Sequence, residues 1–207
     1  MLERFRHFWV RLLSPIANLL LRLGVSPDAV TIVGTCGVVA GSLIFFPRGE
    51  FLVGVLVVTA FVFSDLIDGY MARMSGRTST WGAFLDSTLD RVGDAAVFAG
   101  LLLWYAGDGD DLRLAGLALY CLVMGGVTSY ARARAESLGM HARGGIAERA
   151  DRLVLILVAT GLAGIFDFEP LIVVALALLA VASSVTVVQR MLIVHKQAVA
   201  GTDASHE

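Results

Sequence analysis

Apolar runs long enough to cross a lipid bilayer recur along this chain of 207 residues, and only short polar links separate them. A transmembrane helix needs about 20 predominantly apolar residues, and inside a membrane every backbone polar group must be satisfied within the spanning structure. A hydrophobic content of 57% agrees with this pattern and excludes an ordinary soluble domain. We therefore predict an all-α integral membrane protein with a single membrane domain.

Six such runs can be distinguished, at roughly residues 28–46, 51–73, 83–106, 112–136, 149–167 and 170–194. They predict a domain of six transmembrane helices over residues 25–196, followed by a polar tail at 197–207. In the preceding segment, apolar residues recur at helical spacing, and Arg4 and Arg11 lie off that stripe. Residues 1–24 are thus predicted to form an amphipathic helix on the membrane surface, and a simple anchor without a catalytic role is an equal alternative.

Lysine and arginine residues concentrate on one side of the six predicted spans. Of the 16 basic residues, only Arg48 and Arg113 lie on the other side, where Glu50, Asp108 and Glu169 are found. Cytoplasmic loops of membrane proteins carry the excess of positive charge. We therefore expect both termini, and the link between the second and third spans, to face the cytoplasm.

Four carboxylates flank that link in the pattern D-x2-D-G-x2-A-R-x8-G-x3-D-x3-D: Asp65, Asp68, Asp86 and Asp90. Acids next to hydrocarbon are costly and are functional candidates by default. On helices, the first two share a face, and so do the last two. Two carboxylate pairs on facing helices form the all-oxygen site that Mg²⁺ or Mn²⁺ prefers. The pattern thus predicts a metal site that opens to the cytoplasm.

Two other interpretations of these acids stay open. They could be structural acids paired with Arg73, Arg77 and Arg91 at helix ends, or relay groups of a small ion or proton transporter. Relay acids tend to lie near the bilayer midplane, whereas these four gather at one membrane face beside arginines. Asp94 lies one helical turn beyond Asp90 and outside the pattern. We expect it to hold an arginine rather than a metal ion.

The pattern from Asp65 to Asp90 matches, without a mismatch, the signature of the CDP-alcohol phosphotransferases, and the six-span layout resembles that family over the whole chain. The resemblance implies an enzyme that uses a CDP-alcohol as donor and an alcohol as acceptor and that releases CMP. It also implies that the four acids bind two divalent ions, Mg²⁺ or Mn²⁺, and that Asp90 is in addition the general base. The resemblance further implies that the protein forms a homodimer and has no nucleic-acid partner.

Residues for the donor's CDP group follow from the same resemblance. Gly69 and Arg73 are expected to contact the nucleotide and the diphosphate, with Ser79 and Thr80 nearby in the following link. The opening turn of the first span is expected to form the other wall of that site. Its residues are Ala29, Val30, Thr31 and Ile32.

A second basic cluster bears on the acceptor. Five arginines lie at the predicted cytoplasmic ends of the last three spans: Arg132, Arg134, Arg149, Arg152 and Arg190. Around a site that already holds an anionic donor, they indicate an acceptor with a phosphate of its own. The alternative is the ordinary positive charge of cytoplasmic loops, with contacts to lipid headgroups.

The segment R-x-R-A-E…GG-I-x-E-R-x-x-R, from Arg132 to Arg152, resembles the actinobacterial phosphatidylinositol-phosphate synthases. The resemblance implies CDP-diacylglycerol as the donor, inositol 1-phosphate as the acceptor and a bacterial plasma membrane as the location. Many members of that group carry Lys where this chain has Arg132, which keeps the charge and changes the geometry of the donor groups. The alternative acceptor is glycerol 3-phosphate, the substrate of a phosphatidylglycerol-phosphate synthase.

Overall fold

The computed structural model of the chain describes residues 14–76, 79–142 and 144–203. All regular elements within these residues are helical, so the predicted all-α class is confirmed. Residues 14–22 form the described part of α1, and the remainder of the amphipathic helix predicted at the N-terminus lies outside the described residues. The other helices are α2 (Pro27–Phe45), α3 (Phe51–Val62), α4 (Ser64–Met74), α5 (Thr80–Ala106), α6 (Leu112–Ser137), α7 (Arg149–Phe166) and α8 (Pro170–Asp203).

Within the described residues, four helical stretches are long and apolar enough to cross a membrane: Pro27–Arg48, Phe51–Met74, Leu112–Ser137 and Pro170–Ala200. The protein is therefore a helical membrane protein. The other two predicted spans correspond to α5 and α7. Both helices carry ionisable residues, so length and composition alone do not identify them as spans: Asp86, Asp90, Arg91 and Asp94 in α5, and Arg149, Asp151 and Arg152 in α7.

The second predicted span, residues 51–73, is not one continuous helix. Phe63 separates α3 from α4. The amide of Phe63 donates to the carbonyl of Thr59, four residues back (3.2 Å), whereas the amide of Leu66 donates to Phe63, three residues back (3.1 Å). Such a local change of hydrogen-bonding pattern interrupts an α-helix. The first acid pair therefore lies on a short helix of its own, α4.

Serine caps fix the starts of the two helices that meet beside α4. The Ser26 hydroxyl accepts a hydrogen bond from the amide of Ala29 (3.2 Å), and Pro27 occupies the first turn of α2. The Ser79 hydroxyl accepts from the amide of Gly82 (2.9 Å) at the start of α5. Each cap satisfies an amide that has no partner within its helix. The first turns of α2 and α5 are thus well defined where they approach the acids.

The helices pack into one bundle with an apolar core. α2 packs against α3 and α5, α5 against α6, α6 against α8, and α7 against both α3 and α8. The largest fully buried side chains include Tyr105, Phe46, Met71, Leu101, Ile156 and Leu176. Glycines allow close crossings, as where Gly100 of α5 lies against the backbone of Ser42 in α2.

The last helix is longer than the sixth predicted span. α8 continues to Asp203 and so passes the predicted start of a polar tail at residue 197. The Gln197 side chain accepts from the amide of His141 (2.9 Å) and donates to its carbonyl (2.6 Å). The end of α8 therefore holds the connection between α6 and α7, and residues 204–207 lie outside the described part of the chain.

Candidate active site

An acidic cavity of about 300 Å³ lies between α4 and the first turns of α2 and α5. All four acids of the sequence pattern line it: Asp65, Asp68, Asp86 and Asp90. The two pairs come from different helices, α4 and α5. The arrangement therefore places two carboxylate pairs across a space large enough for part of a substrate.

Three of the four acids converge closely. One carboxylate oxygen each of Asp65, Asp68 and Asp86 lies within 4.8 Å of the other two. Asp68 is buried, Asp65 is half-buried, and Asp86 is exposed. Carboxylates at this spacing repel one another unless a cation compensates their charge, and hard oxygen ligands are those that Mg²⁺ and Mn²⁺ prefer. These three residues therefore fit a divalent metal ion.

Asp90 lines the same cavity but is paired with arginines. Its Oδ1 lies 2.8 Å from a terminal nitrogen of Arg149, and its Oδ2 lies 3.5 Å from a terminal nitrogen of Arg91. Asp90 is one helical turn deeper along α5 than Asp86, where the first turn of α7 approaches. The sequence predicted one cage of four acids, and the structure brings three together and turns the fourth towards α7.

A threonine of α2 orients one of the converging acids. The Thr31 hydroxyl donates to Oδ2 of Asp68 at 2.6 Å, and both side chains are buried. The two residues are 37 positions apart in the sequence. A hydroxyl that donates to a carboxylate in this way fixes the direction of the carboxylate.

The residues predicted to contact the donor fall into two groups. Thr31, Gly69 and Ser79 line the acidic cavity. The guanidinium of Arg73 lies over Gly69, with a terminal nitrogen 3.5 Å from the position that a Cβ atom would take there. Five of the eight predicted residues are absent from the described residues that line the cavity: Arg73, Ala29, Val30, Ile32 and Thr80.

Helical periodicity explains which residues of α2 reach the cavity. Pro27, Asp28 and Thr31 line it, because positions three and four apart share a helix face. Ile32 is 46% exposed instead. Asp28 was missed in the sequence, although its spacing of three residues from Thr31 could have indicated it.

A basic cavity of about 280 Å³ adjoins the acidic one, since Arg149 lines both. Its lining includes five arginines: Arg91, Arg132, Arg149, Arg152 and Arg190. Four of them were predicted. Arg91 was considered in the sequence only as a cytoplasmic positive charge and as a possible partner of structural acids, because its direction depends on how α5 is rotated against α6.

Two of these arginines are almost fully buried and held by backbone carbonyls. Arg190 is 4% exposed, and its guanidinium donates to the carbonyls of Thr128 (2.5 Å) and Gly144 (3.1 Å). Arg152 is 2% exposed and donates to the carbonyl of Ala147 (3.3 Å). Their positions are therefore set by the protein before any ligand binds.

The two arginines of α6 differ in position. Arg132 lines the basic cavity and bonds Glu136 at 3.0 Å. Arg134 is exposed, lies outside the described lining and contacts the Ser137 hydroxyl at 3.4 Å. Residues two apart on a helix point in different directions. The prediction that both arginines face the same site is thus wrong for Arg134.

Arg149 connects the two cavities through three carboxylates. Its Nε lies 3.0 Å from Asp94, and its two terminal nitrogens lie 2.8 Å from Asp90 and 3.6 Å from Asp65. Asp94 also lies 3.5 Å from Arg152. The prediction that Asp94 holds an arginine is confirmed, and it holds two.

Comparisons with known sequences agree with this geometry. The family model of the CDP-alcohol phosphatidyltransferases matches residues 24–188. A phosphatidylinositol phosphate synthase of Streptomyces avermitilis is 53% identical over 204 residues, which cover 95% of this chain and 84% of the relative. One of Cutibacterium acnes is 51% identical over 203 residues, which cover 95% of this chain and 98% of the relative.

Two crystal structures of the phosphatidylinositol phosphate synthase of Mycobacterium tuberculosis are also similar. The structure with CDP-DAG bound has a TM-score of 0.84 and 46% identity, over 89% of this chain and 94% of that one. The complex with manganese and citrate has a TM-score of 0.83 and 47% identity, over 87% of each chain. Since the family model spans most of the chain and the relatives share about half of its residues, the chain belongs to the CDP-alcohol phosphatidyltransferase family.

Proposed function

We propose that this protein is an enzyme that transfers the phosphatidyl group of CDP-diacylglycerol to inositol 1-phosphate, giving phosphatidylinositol phosphate and CMP. The observation that carries the proposal is the pair of adjoining cavities that share Arg149, one lined by four acids and the other by five arginines. Relatives that are 53% and 51% identical are phosphatidylinositol phosphate synthases. A solved relative holds CDP-DAG, which supports the same donor.

The acidic cavity is proposed to receive the diphosphate of the donor. Asp65, Asp68 and Asp86 would hold divalent metal, with Asp90 completing a site for two Mg²⁺ or Mn²⁺ ions. When bound, such ions neutralise the diphosphate and the charge that develops on the departing CMP. A solved relative contains manganese. Without cations, four carboxylates would repel an anionic donor.

The nucleotide end of the donor is proposed to lie against α2 and the start of α5. Thr31, Gly69 and Ser79 line this part of the cavity. Gly69 has no side chain, so a phosphate can approach its backbone closely. Arg73, whose guanidinium lies over Gly69, offers a planar pair of donors to that phosphate.

The reaction is a displacement at the phosphorus that carries the diacylglycerol. The acceptor hydroxyl oxygen forms a bond to this phosphorus, and the bond from the phosphorus to the bridging oxygen breaks, so that CMP leaves with the electron pair. The Asp90 carboxylate takes the hydroxyl proton. Its ion pair with Arg149, at 2.8 Å, holds it where the two cavities meet. The base therefore lies between donor and acceptor.

The basic cavity is proposed to bind the phosphate of the acceptor. Arg132, Arg149, Arg152 and Arg190 line it, and a guanidinium donates two parallel hydrogen bonds to a phosphate. Arg190 is already held by two backbone carbonyls. Little side-chain freedom is then lost on binding, which favours affinity. Arg134 is not part of this site.

We further propose that α5 and α7 also cross the bilayer, which makes six spans in a bacterial plasma membrane. Both helices pack within the bundle of apolar helices. Basic residues concentrate at the end of the bundle that carries the two cavities, which supports a cytoplasmic location for this end and for both termini. The described part of α1 would lie on the membrane surface. The family resemblance supports a homodimer.

The proposal is tested with the purified protein in detergent, by measuring CMP release from CDP-diacylglycerol. Inositol 1-phosphate should support release and glycerol 3-phosphate should not. EDTA should abolish release, and added Mg²⁺ or Mn²⁺ should restore it. If glycerol 3-phosphate supports release and inositol 1-phosphate does not, glycerol 3-phosphate would replace inositol 1-phosphate as the acceptor. No release with either acceptor, at any concentration of these ions, would refute the proposed enzyme activity.

A further inference from the structure

We infer that Asp94 is a positioning residue for acceptor binding. Its carboxylate holds Arg149 at the junction of the two cavities. The inference rests on the proposed function and deepens it. Asp94 lies outside the four-acid pattern, and it is absent from the described group of acids that could share a metal ion. Its two carboxylate oxygens instead face two arginines of α7.

The carboxylate of Asp94 joins α5 to the first turn of α7. One oxygen lies 3.0 Å from Nε of Arg149, and the other lies 3.5 Å from a terminal nitrogen of Arg152. Asp94 is 8% exposed. Ion pairs withdrawn from water are held more firmly than pairs on the surface, because solvent screens them less. Asp94 therefore fixes both guanidinium groups relative to α5.

The bond to Nε decides where the rest of the Arg149 guanidinium points. The group is planar, so anchoring Nε at Asp94 directs both terminal nitrogens towards the junction. There they lie 2.8 Å from Asp90 and 3.6 Å from Asp65. Without the anchor, the guanidinium would no longer be held in this direction, and its terminal nitrogens would not be fixed towards the acceptor phosphate. Asp94 thus keeps Arg149 available to the basic cavity.

The position of Arg152 also depends on Asp94. It is 2% exposed, and a buried guanidinium is costly without an anionic partner. Within the described residues, Asp94 is the one acid that forms an ion pair with it. The other contact of its guanidinium is the carbonyl of Ala147. Asp94 therefore supports two of the arginines that line the basic cavity.

The variant Asp94→Asn tests the inference, because it keeps the size of the side chain and removes its charge. We expect the KM for inositol 1-phosphate to rise about tenfold or more. The KM for CDP-diacylglycerol and the affinity for Mn²⁺ should stay within about twofold of the wild type. The matched control is Asp108→Asn, an exposed acid after α5, which should change neither KM. An unchanged acceptor KM, or equal rises in both KM values, would overturn the inference.

A double-mutant cycle distinguishes action through Arg149 from a separate effect. Arg149→Gln is measured alone and combined with Asp94→Asn. If Asp94 acts through Arg149, the combined rise in acceptor KM is smaller than the product of the two separate rises. A combined rise in acceptor KM equal to the product of the two separate rises would overturn the inference.

Asp94→Glu provides a second variant if Asp94→Asn does not fold. It keeps the charge and displaces the carboxylate, so the acceptor KM should still rise while the donor KM stays constant. A folded Asp94→Glu enzyme with an unchanged acceptor KM would contradict the inference. Turnover of the wild type with inositol 1-phosphate is measured first, because its absence would refute the proposed function itself.

Discussion

Asp90 lies outside the group that the other three acids of the pattern form. They converge on one point within 4.8 Å, whereas Asp90 pairs with Arg149 and Arg91. The different role proposed for Asp90 follows from its pairing with Arg149, the side chain that α7 brings near. A carboxylate between the proposed donor and acceptor cavities is suited to receive a proton, and the other three acids are suited to bind cations.

The variant Asp90→Asn should retain donor binding and lose turnover. An amide keeps the shape of the side chain but cannot accept the hydroxyl proton, so CMP release should fall about 100-fold or more. Equilibrium binding of CDP-diacylglycerol and steady-state turnover measure the two effects separately. An active Asp90→Asn enzyme would contradict the assignment of Asp90 as the base.

The variant Thr31→Val should weaken metal binding. It removes the hydroxyl that donates to Asp68 at 2.6 Å and preserves the branched shape. Loss of such a partner lowers metal affinity by about 10- to 100-fold. Titration with Mn²⁺, followed by electron paramagnetic resonance, measures this without turnover.

Two further variants control for this effect. Thr31→Ser keeps the hydroxyl and should bind Mn²⁺ like the wild type. Thr35→Val removes a hydroxyl that donates to a backbone carbonyl of the same helix, at 3.0 Å, and should also leave metal affinity unchanged. Equal affinities of Thr31→Val and Thr35→Val would show that the hydroxyl does not orient Asp68.

The crossing of α2 and α5 positions the two sides of the acidic cavity that these helices form. α2 carries Thr31, and α5 carries Asp86 and Asp90. Away from the cavity, Gly100 of α5 lies so close to α2 that a Cβ atom there would overlap the backbone of Ser42. Backbone cannot move aside as a side chain can, so the absence of a side chain at Gly100 sets the distance between the two helices.

The variant Gly100→Ala should destabilise the protein by about 1–3 kcal/mol, because the added methyl group forces α2 and α5 apart. Thermal unfolding in detergent measures the loss. Gly116→Ala on α6 is the matched control, since nothing lies within 4 Å of a Cβ atom at Gly116. It should be neutral or slightly stabilising, because Ala favours helix more than Gly does. Equal stability of the two variants would contradict the close crossing.

Across the whole molecule, charges divide between the two ends of the bundle. The five arginines of the basic cavity and the four acids gather at the end with the two cavities. At the other end, Trp104 lies against Phe51, with ring centroids 5.3 Å apart, and its indole nitrogen is 3.5 Å from Glu169. The excess of positive charge at the cavity end is the basis for placing that end in the cytoplasm.

Cysteine labelling in intact bacterial cells tests this orientation. In a protein without Cys36 and Cys121, Asp108→Cys should react with a membrane-impermeant maleimide from outside. Leu138→Cys, which follows α6 at the cavity end and replaces an exposed side chain, should react only after permeabilisation. The opposite result for the two variants would reverse the proposed orientation.

The class of the fold and the acid pattern could be predicted from local properties of the sequence. Apolar runs and helical spacing depend on residues near one another in the chain. The predicted span 112–136 therefore agrees closely with α6, Leu112–Ser137, and the predicted span 28–46 with α2, Pro27–Phe45. The same local spacing correctly paired Asp65 with Asp68 and Asp86 with Asp90 on two helices.

Contacts between distant segments could not be predicted in this way. The hydroxyl of Thr31 on Asp68, the three carboxylates around Arg149 and the direction of Arg91 depend on how the helices cross and rotate against one another. Those rotations are determined by the way buried side chains from several helices pack together and by the glycines that let two helices approach closely. Spacing along one helix therefore indicates which residues share a face, and only the packed bundle determines which side chains of other helices contact that face.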